Sequence, residues 1–134
     1  MEKFEPSDIE FRSADEIRRF QEDKLHENLA YLQAHSPFYQ AMFAKHGIAV
    51  ENIRTLDDLQ QLPFTDKKDL QQHNTDFLCV PPRDIVDYIT TSGTLGDPVT
   101  FACTDRDLNR LAYNEAVSFA CAGVTADSVV QLMT

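Results

Sequence analysis

Tyr88-Ile89-Thr90-Thr91-Ser92-Gly93-Thr94-Leu95-Gly96-Asp97-Pro98-Val99 is the stretch from which the rest of the chain is read. A β-branched, apolar run enters a loop of hydroxyls and glycines, then leaves as a second β-prone run, Val99 to Cys103. Such a loop offers several backbone N–H groups and hydroxyls to one small volume. Its two glycines let the backbone approach a ligand closely or take positive φ. Concave arrays of N–H groups bind anions, most often phosphate. The expectation is a hairpin whose loop holds the phosphates of a nucleotide; the plainer alternative is a turn rich in Ser, Thr and Gly. It is not a Walker loop, because no Gly-Lys-Ser/Thr follows at the required spacing.

Upstream of the loop the chain reads as helical. Ser13-Ala14-Asp15-Glu16 has the form of a capping box. Behind it a helical pattern runs to about Ala34, with Ile17, Phe20, Leu25, Leu29 and Leu32 drifting around one face. Ser36-Pro37 restarts a helix with Pro at its first position, and Gly47 is its natural stop. Thr55 opens a short third helix, whose Asp57 and Asp58 complement the helix dipole. Leu62-Pro63-Phe64 breaks it, and Thr65-Asp66 caps a fourth helix to about His73.

The character changes at Leu78. Val80-Pro81-Pro82 is extended or turn-like. Ile85 to Thr90 reads as a strand, and Val99 to Cys103 as its hairpin partner. Thr104 to Asp107 caps a helix that places Leu108, Leu111, Ala112, Phe119 and Ala120 on a core face and ends at Gly123. After the polar turn Thr125–Ser128, Val129 to Thr134 reads as another strand. Two regions result: residues 1–77, a helical N-terminal segment, and residues 78–134, a β-loop-β-α-β segment forming part of a larger α/β domain. With no element after it to cover the last strand, the chain is expected to be a fragment of a longer protein or to associate with itself through that edge.

A formal net charge of −10 in 134 residues argues against nucleic-acid partners and anionic membrane surfaces. The N-terminus has no signal-peptide pattern, and no apolar run approaches the ~18 residues of a transmembrane span. Cys79, Cys103 and Cys121 are odd in number and widely spaced, which fits reduced thiols in the cytoplasm. Without a CxxC or HxxxH pattern, no zinc site is expected.

Other residues have ordinary structural readings. His26, His35, His46 and His73 lie in or at the ends of helices, as solvated or capping groups. Cys103 and Cys121 read as buried, inert thiols. Phe38, Tyr39 and Phe43 read as core, and Lys67-Lys68 as a solvated helix face.

Thr91-Ser92-Gly93-Thr94-Leu95-Gly96-Asp97-Pro98 resembles the phosphate-binding motif S/T-S-G-T-T-G-x-P of the adenylate-forming superfamily, the acyl-CoA synthetases and their relatives. Ser36-Pro37-Phe38-Tyr39 and Leu62-Pro63-Phe64-Thr65-Asp66-Lys67-Lys68-Asp69-Leu70 are similar to the N-terminal region of phenylacetate–CoA ligases and of the related coenzyme F synthetase-like proteins. The resemblance runs from about Phe20 to the end of the chain.

The resemblance implies activation of phenylacetate, or a similar aryl or acyl acid, by Mg·ATP to an acyl-adenylate, followed by transfer to coenzyme A. It implies a nucleotide phosphate-binding set of Thr91, Ser92, Gly93, Thr94, Leu95 and Gly96, with Thr91, Ser92 and Thr94 as hydroxyl donors. Leu95 stands where the family usually carries a second threonine, and Asp97 where lysine is common. The family's remaining acidic, ribose-binding and lysine groups match nothing before Thr134. No catalytic residue or metal ligand is therefore assigned, and the 134 residues alone are expected to be inactive. A second reading, from a different class, is a stand-alone truncated homologue serving as a binding or oligomerisation module.

Overall fold

Local capping decides where the helices begin. The Ser13 hydroxyl accepts from the Glu16 N–H, and the Glu16 carboxylate accepts from the Ser13 N–H at 3.1 Å. This box opens α1, Ala14–His35. Ser36 ends α1 through its N–H to Leu32, then starts α2, Pro37–His46, by accepting the Tyr39 N–H. Gly47 takes φ +63 at the end of α2, the left-handed conformation that glycine adopts without a side-chain penalty.

The computed structural model of the chain describes residues 9–91 and 98–131. Its remaining elements are α3, Lys67–Gln72; β1, Asp87–Thr90; β2, Thr100–Cys103; and α4, Asp105–Cys121. Short 3-10 turns at Ile9–Phe11, Val50–Asn52, Leu56–Gln61, Asn74–Phe77 and Pro82–Asp84 connect them. A helical N-terminal region followed by a two-stranded antiparallel sheet is the α/β organisation expected from the sequence.

Leu29 of α1, Phe43 of α2, Val50 and Ile53 form the buried centre, with Leu25, Leu32, Tyr39, Met42, Ile48 and Leu62 packed around it. Ile53 is 2% exposed and Ser36 is wholly buried. The Ser36 hydroxyl donates to the Asp76 carbonyl at 3.1 Å, tying the α1–α2 corner to the Asn74–Phe77 turn. The rings of Phe38 and Phe77 stack at 3.9 Å beside this bond, with Tyr39 edge-on to Phe77. On the outer side of α1, Arg18 bridges Glu22 and Asp57, and Glu22 accepts the Leu56 N–H.

Several expectations change. The third helix is a 3-10 turn, Leu56–Gln61, stopped within six residues by Leu62-Pro63. Asp58 closes its capping box with Thr55, whereas Asp57 reaches Arg18. The first strand begins at Asp87 rather than Ile85, because the Ile85 N–H closes the Pro82–Asp84 turn. Phe20 is exposed, with the Lys24 ammonium 5.9 Å from its ring centroid.

No residue of α4 is buried: Leu111 and Phe119 are exposed and Leu108 is half-buried. The helix is amphipathic, and its main packing contact among the described residues is with β2. Residues 129–131 form no strand, since no described segment pairs with them, and 132–134 lie outside the described residues. Cys103 is buried as expected, but Cys121 is exposed.

Ser36→Ala should lower unfolding free energy by about 1–2 kcal/mol, because it removes a cap and strands a half-buried carbonyl. Urea unfolding checks this; an unchanged midpoint and slope would rule out the corner's role.

Candidate functional site

The two strands position the loop. Antiparallel pairing sets Asp87 opposite Cys103, Tyr88 opposite Ala102, Ile89 opposite Phe101 and Thr90 opposite Thr100. Beyond the last pair, the Thr91 N–H donates to the Val99 carbonyl, and the Val99 N–H donates to Thr91 Oγ1, both at 3.0 Å. Thr91 therefore holds the neck of the loop with both its backbone and its hydroxyl. Val99, 2% exposed, anchors the outgoing arm in the interior. The Asn74 side-chain amide donates to the Thr100 carbonyl at 2.8 Å and couples that arm to the helical region.

Of the phosphate-binding set expected from the sequence, Thr91 is placed at this neck. Ser92, Gly93, Thr94, Leu95 and Gly96 lie outside the described residues, as does Asp97. Asn74 has no signal in the sequence beyond being a polar residue in a turn. Its relation to the loop depends on contact across 26 positions.

Another capping box stands immediately after β2. Thr104 accepts the Asp107 N–H, and the Asp107 carboxylate accepts the Thr104 N–H and hydroxyl at 3.0 and 2.8 Å. Burial would raise the Asp107 carboxyl, but these bonds, with Arg110 and Arg106, outweigh it and hold the group below its ordinary value. Hydrogen bonds from the Thr55 backbone and hydroxyl and the Arg54 backbone likewise lower Asp58. Burial, with Asp107 and Asp87 nearby, pushes the Cys103 thiol up; burial also raises Cys79 against a bond from Ser36. A raised pKa leaves less of either thiol in its nucleophilic thiolate form at neutral pH. Among the described residues no group of three or more His, Cys, Asp or Glu is arranged to hold a metal. No described helix is long and apolar enough to cross a membrane.

The helical layer and stapled hairpin together define a class, the fold of the adenylate-forming CoA ligases. The chain matches the crystal structure of 2-hydroxyisobutyryl-CoA ligase in complex with 2-HIB-AMP and CoA in the thioesterification state. The TM-score is 0.71 at 27% identity, covering 78% of this chain and 23% of that one. An open conformation of the same ligase matches in fold at TM-score 0.77, covering 90% of this chain and 31% of that one.

In sequence the chain is 34% identical over 117 residues to phenylacetate–coenzyme A ligase of Thermus thermophilus, spanning 87% of this chain and 26% of that enzyme. It is 32% identical over 116 residues to the enzyme of the same name from Pseudomonas putida, again 26% of that protein's length. No protein-family model matches. The chain is a homologue of the phenylacetate–coenzyme A ligases and spans about a quarter of the length of the curated relatives it matches.

Thr91→Val removes the acceptor for a buried N–H, so amide exchange at Val99 should accelerate by about five- to tenfold; unchanged exchange would show the staple to be dispensable. The lowered carboxyls Asp58 and Asp107 stabilise fully above their unfolded values, near pH 4, and lose that stabilisation as pH falls through the folded values. Helical circular dichroism should therefore decline below about pH 4. Asp107→Asn should make that acid transition shallower.

Proposed function

We propose that the chain is the phosphate-loop segment of an acid–thiol ligase, in which Ser92 to Gly96 wrap the β- and γ-phosphates of Mg·ATP. The observation that carries this reading is the 34% identity across 87% of the chain to a phenylacetate–coenzyme A ligase. The stapled neck at Thr91 and Val99 supports it, since a loop that must meet a triphosphate needs fixed ends.

In the whole enzyme, a carboxylate oxygen of phenylacetate or a similar aryl or acyl acid attacks the α-phosphorus, and pyrophosphate leaves. The thiolate of coenzyme A then attacks the acyl carbonyl and releases AMP. This segment's part is to bind and orient the departing phosphates through loop N–H groups and the hydroxyls of Ser92 and Thr94. Thr91 joins them with the proton of its neck hydroxyl, whose oxygen already accepts from Val99. Local donors and Mg²⁺ must overcome the unfavourable field of a −10 chain. The 134 residues alone are catalytically silent, because they supply no group to hold the acid or the ribose. A cytoplasmic setting accords with three unpaired thiols.

A second reading has an observation of its own. Ile89, Phe101, Leu111 and Phe119 are all more than 40% exposed, apolar side chains available for association of a non-catalytic module. On that reading the chain self-associates at high concentration; a monomer by light scattering overturns it.

The test of the ligase reading is a chimera in which this chain replaces the matching quarter of the Thermus thermophilus enzyme. It should catalyse phenylacetate-dependent ATP–pyrophosphate exchange, and Gly93→Val in the chimera should reduce that exchange by about a hundredfold. An active chimera indifferent to Gly93→Val would overturn the loop's role.

A further inference from the structure

We infer that Asn74 is a positioning residue for phosphate binding, holding the exit of the loop at a fixed place on the helical layer. The inference rests on the ligase reading above and adds to it a residue outside the loop motif.

Strand geometry turns the relevant carbonyl away from the hairpin. Thr91 and Val99 bond to each other across the neck. Alternation along an antiparallel ladder then makes the adjacent residues, Thr90 and Thr100, a pair whose main-chain groups do not face one another. The Thr100 carbonyl therefore points to the outer edge of β2. Among the described residues the sheet has two strands, so no third strand meets that carbonyl. The Asn74 side chain takes the place of one, donating at 2.8 Å. Because a carbonyl only accepts, the amide must present its NH2 there. Thr100 follows Val99 directly, so consecutive residues are gripped from opposite sides, Val99 by Thr91 and Thr100 by Asn74.

The support behind Asn74 is itself fixed. Asn74 opens the Asn74–Phe77 turn, in which the Asp76 N–H donates to the His73 carbonyl at 2.8 Å. The Asp76 carbonyl accepts the buried Ser36 hydroxyl, and Phe77 stacks on Phe38 of α2. Asn74 thus carries the rigidity of the α1–α2 corner to the arm on which the loop ends. A loop whose ends are already held loses less freedom when it closes on a triphosphate, so the quantity that Asn74 governs is affinity for the nucleotide.

Two variants separate the lost bond from other effects. Asn74→Asp keeps the size of the side chain but, when ionised, has no donor; an acid at the start of a turn favours the turn itself. Asn74→Ala removes the donor without adding charge. In the 134-residue protein, amide exchange at Thr91 and Val99 should accelerate about five- to tenfold in both variants, with exchange at Ile53 unchanged. In the chimera with the Thermus thermophilus enzyme, both should raise KM for ATP about five- to tenfold and leave KM for phenylacetate unchanged. A general loss of folded protein would not give that split. The inference is overturned if exchange at the neck is unchanged in both variants. It is overturned equally if KM for ATP stays constant while Gly93→Val still cripples the chimera, an outcome that leaves the loop reading intact. A rise confined to Asn74→Asp would be charge repulsion and would also overturn it. A chimera indifferent to Gly93→Val would instead count against the loop reading.

Discussion

One buried hydroxyl joins the parts of this molecule. Ser36 ends α1, starts α2 and holds the Asn74–Phe77 turn against their corner through its bond to Asp76. That turn carries Asn74, whose amide reaches the Thr100 carbonyl and so fixes the outgoing arm of the loop. A completely buried polar atom is tolerated only where its bonds are satisfied. Here both the donor and an acceptor function of the hydroxyl are used, and no described side chain is left buried without a partner. The position of β2 relative to the helical layer thus rests on these two polar contacts together with the burial of Val99.

The apolar burial is uneven. Leu29, Phe43, Val50 and Ile53 give the helical region a closed centre, whereas the hairpin and α4 together bury only Val99 and Cys103. Local stability should follow the same gradient, since segments with few buried contacts open first. The exposed ring and branched side chains of the hairpin and α4 fit a segment that spans about a quarter of its relatives' length.

Electrostatics are handled locally. The chain carries 22 acidic and 12 basic residues, yet Glu16, Asp58, Asp69 and Asp107 each close a capping box at the start of a helix or 3-10 turn. Acids placed on orphan N–H groups at these N-termini add to stability.

What the sequence determined was whatever depends on residues three or four apart. The Ser13–Glu16 and Thr104–Asp107 boxes, proline at the start of α2 and the left-handed Gly47 are local geometries written by neighbouring side chains, and each formed where the sequence placed it. The hairpin was legible through its two β-prone runs either side of a Ser-, Thr- and Gly-rich loop, as was the resemblance carried by residues 91–98.

The tertiary structure decided what depends on distant partners. It shortened the first strand to Asp87, converted residues 56–61 to a 3-10 turn, left the apolar face of α4 open and exposed Cys121. It also gave Thr91 the neck of the loop and Asn74 the hold on β2. Periodicity states which side of a helix is apolar, but burial requires a second surface, and only the folded chain shows whether one is there.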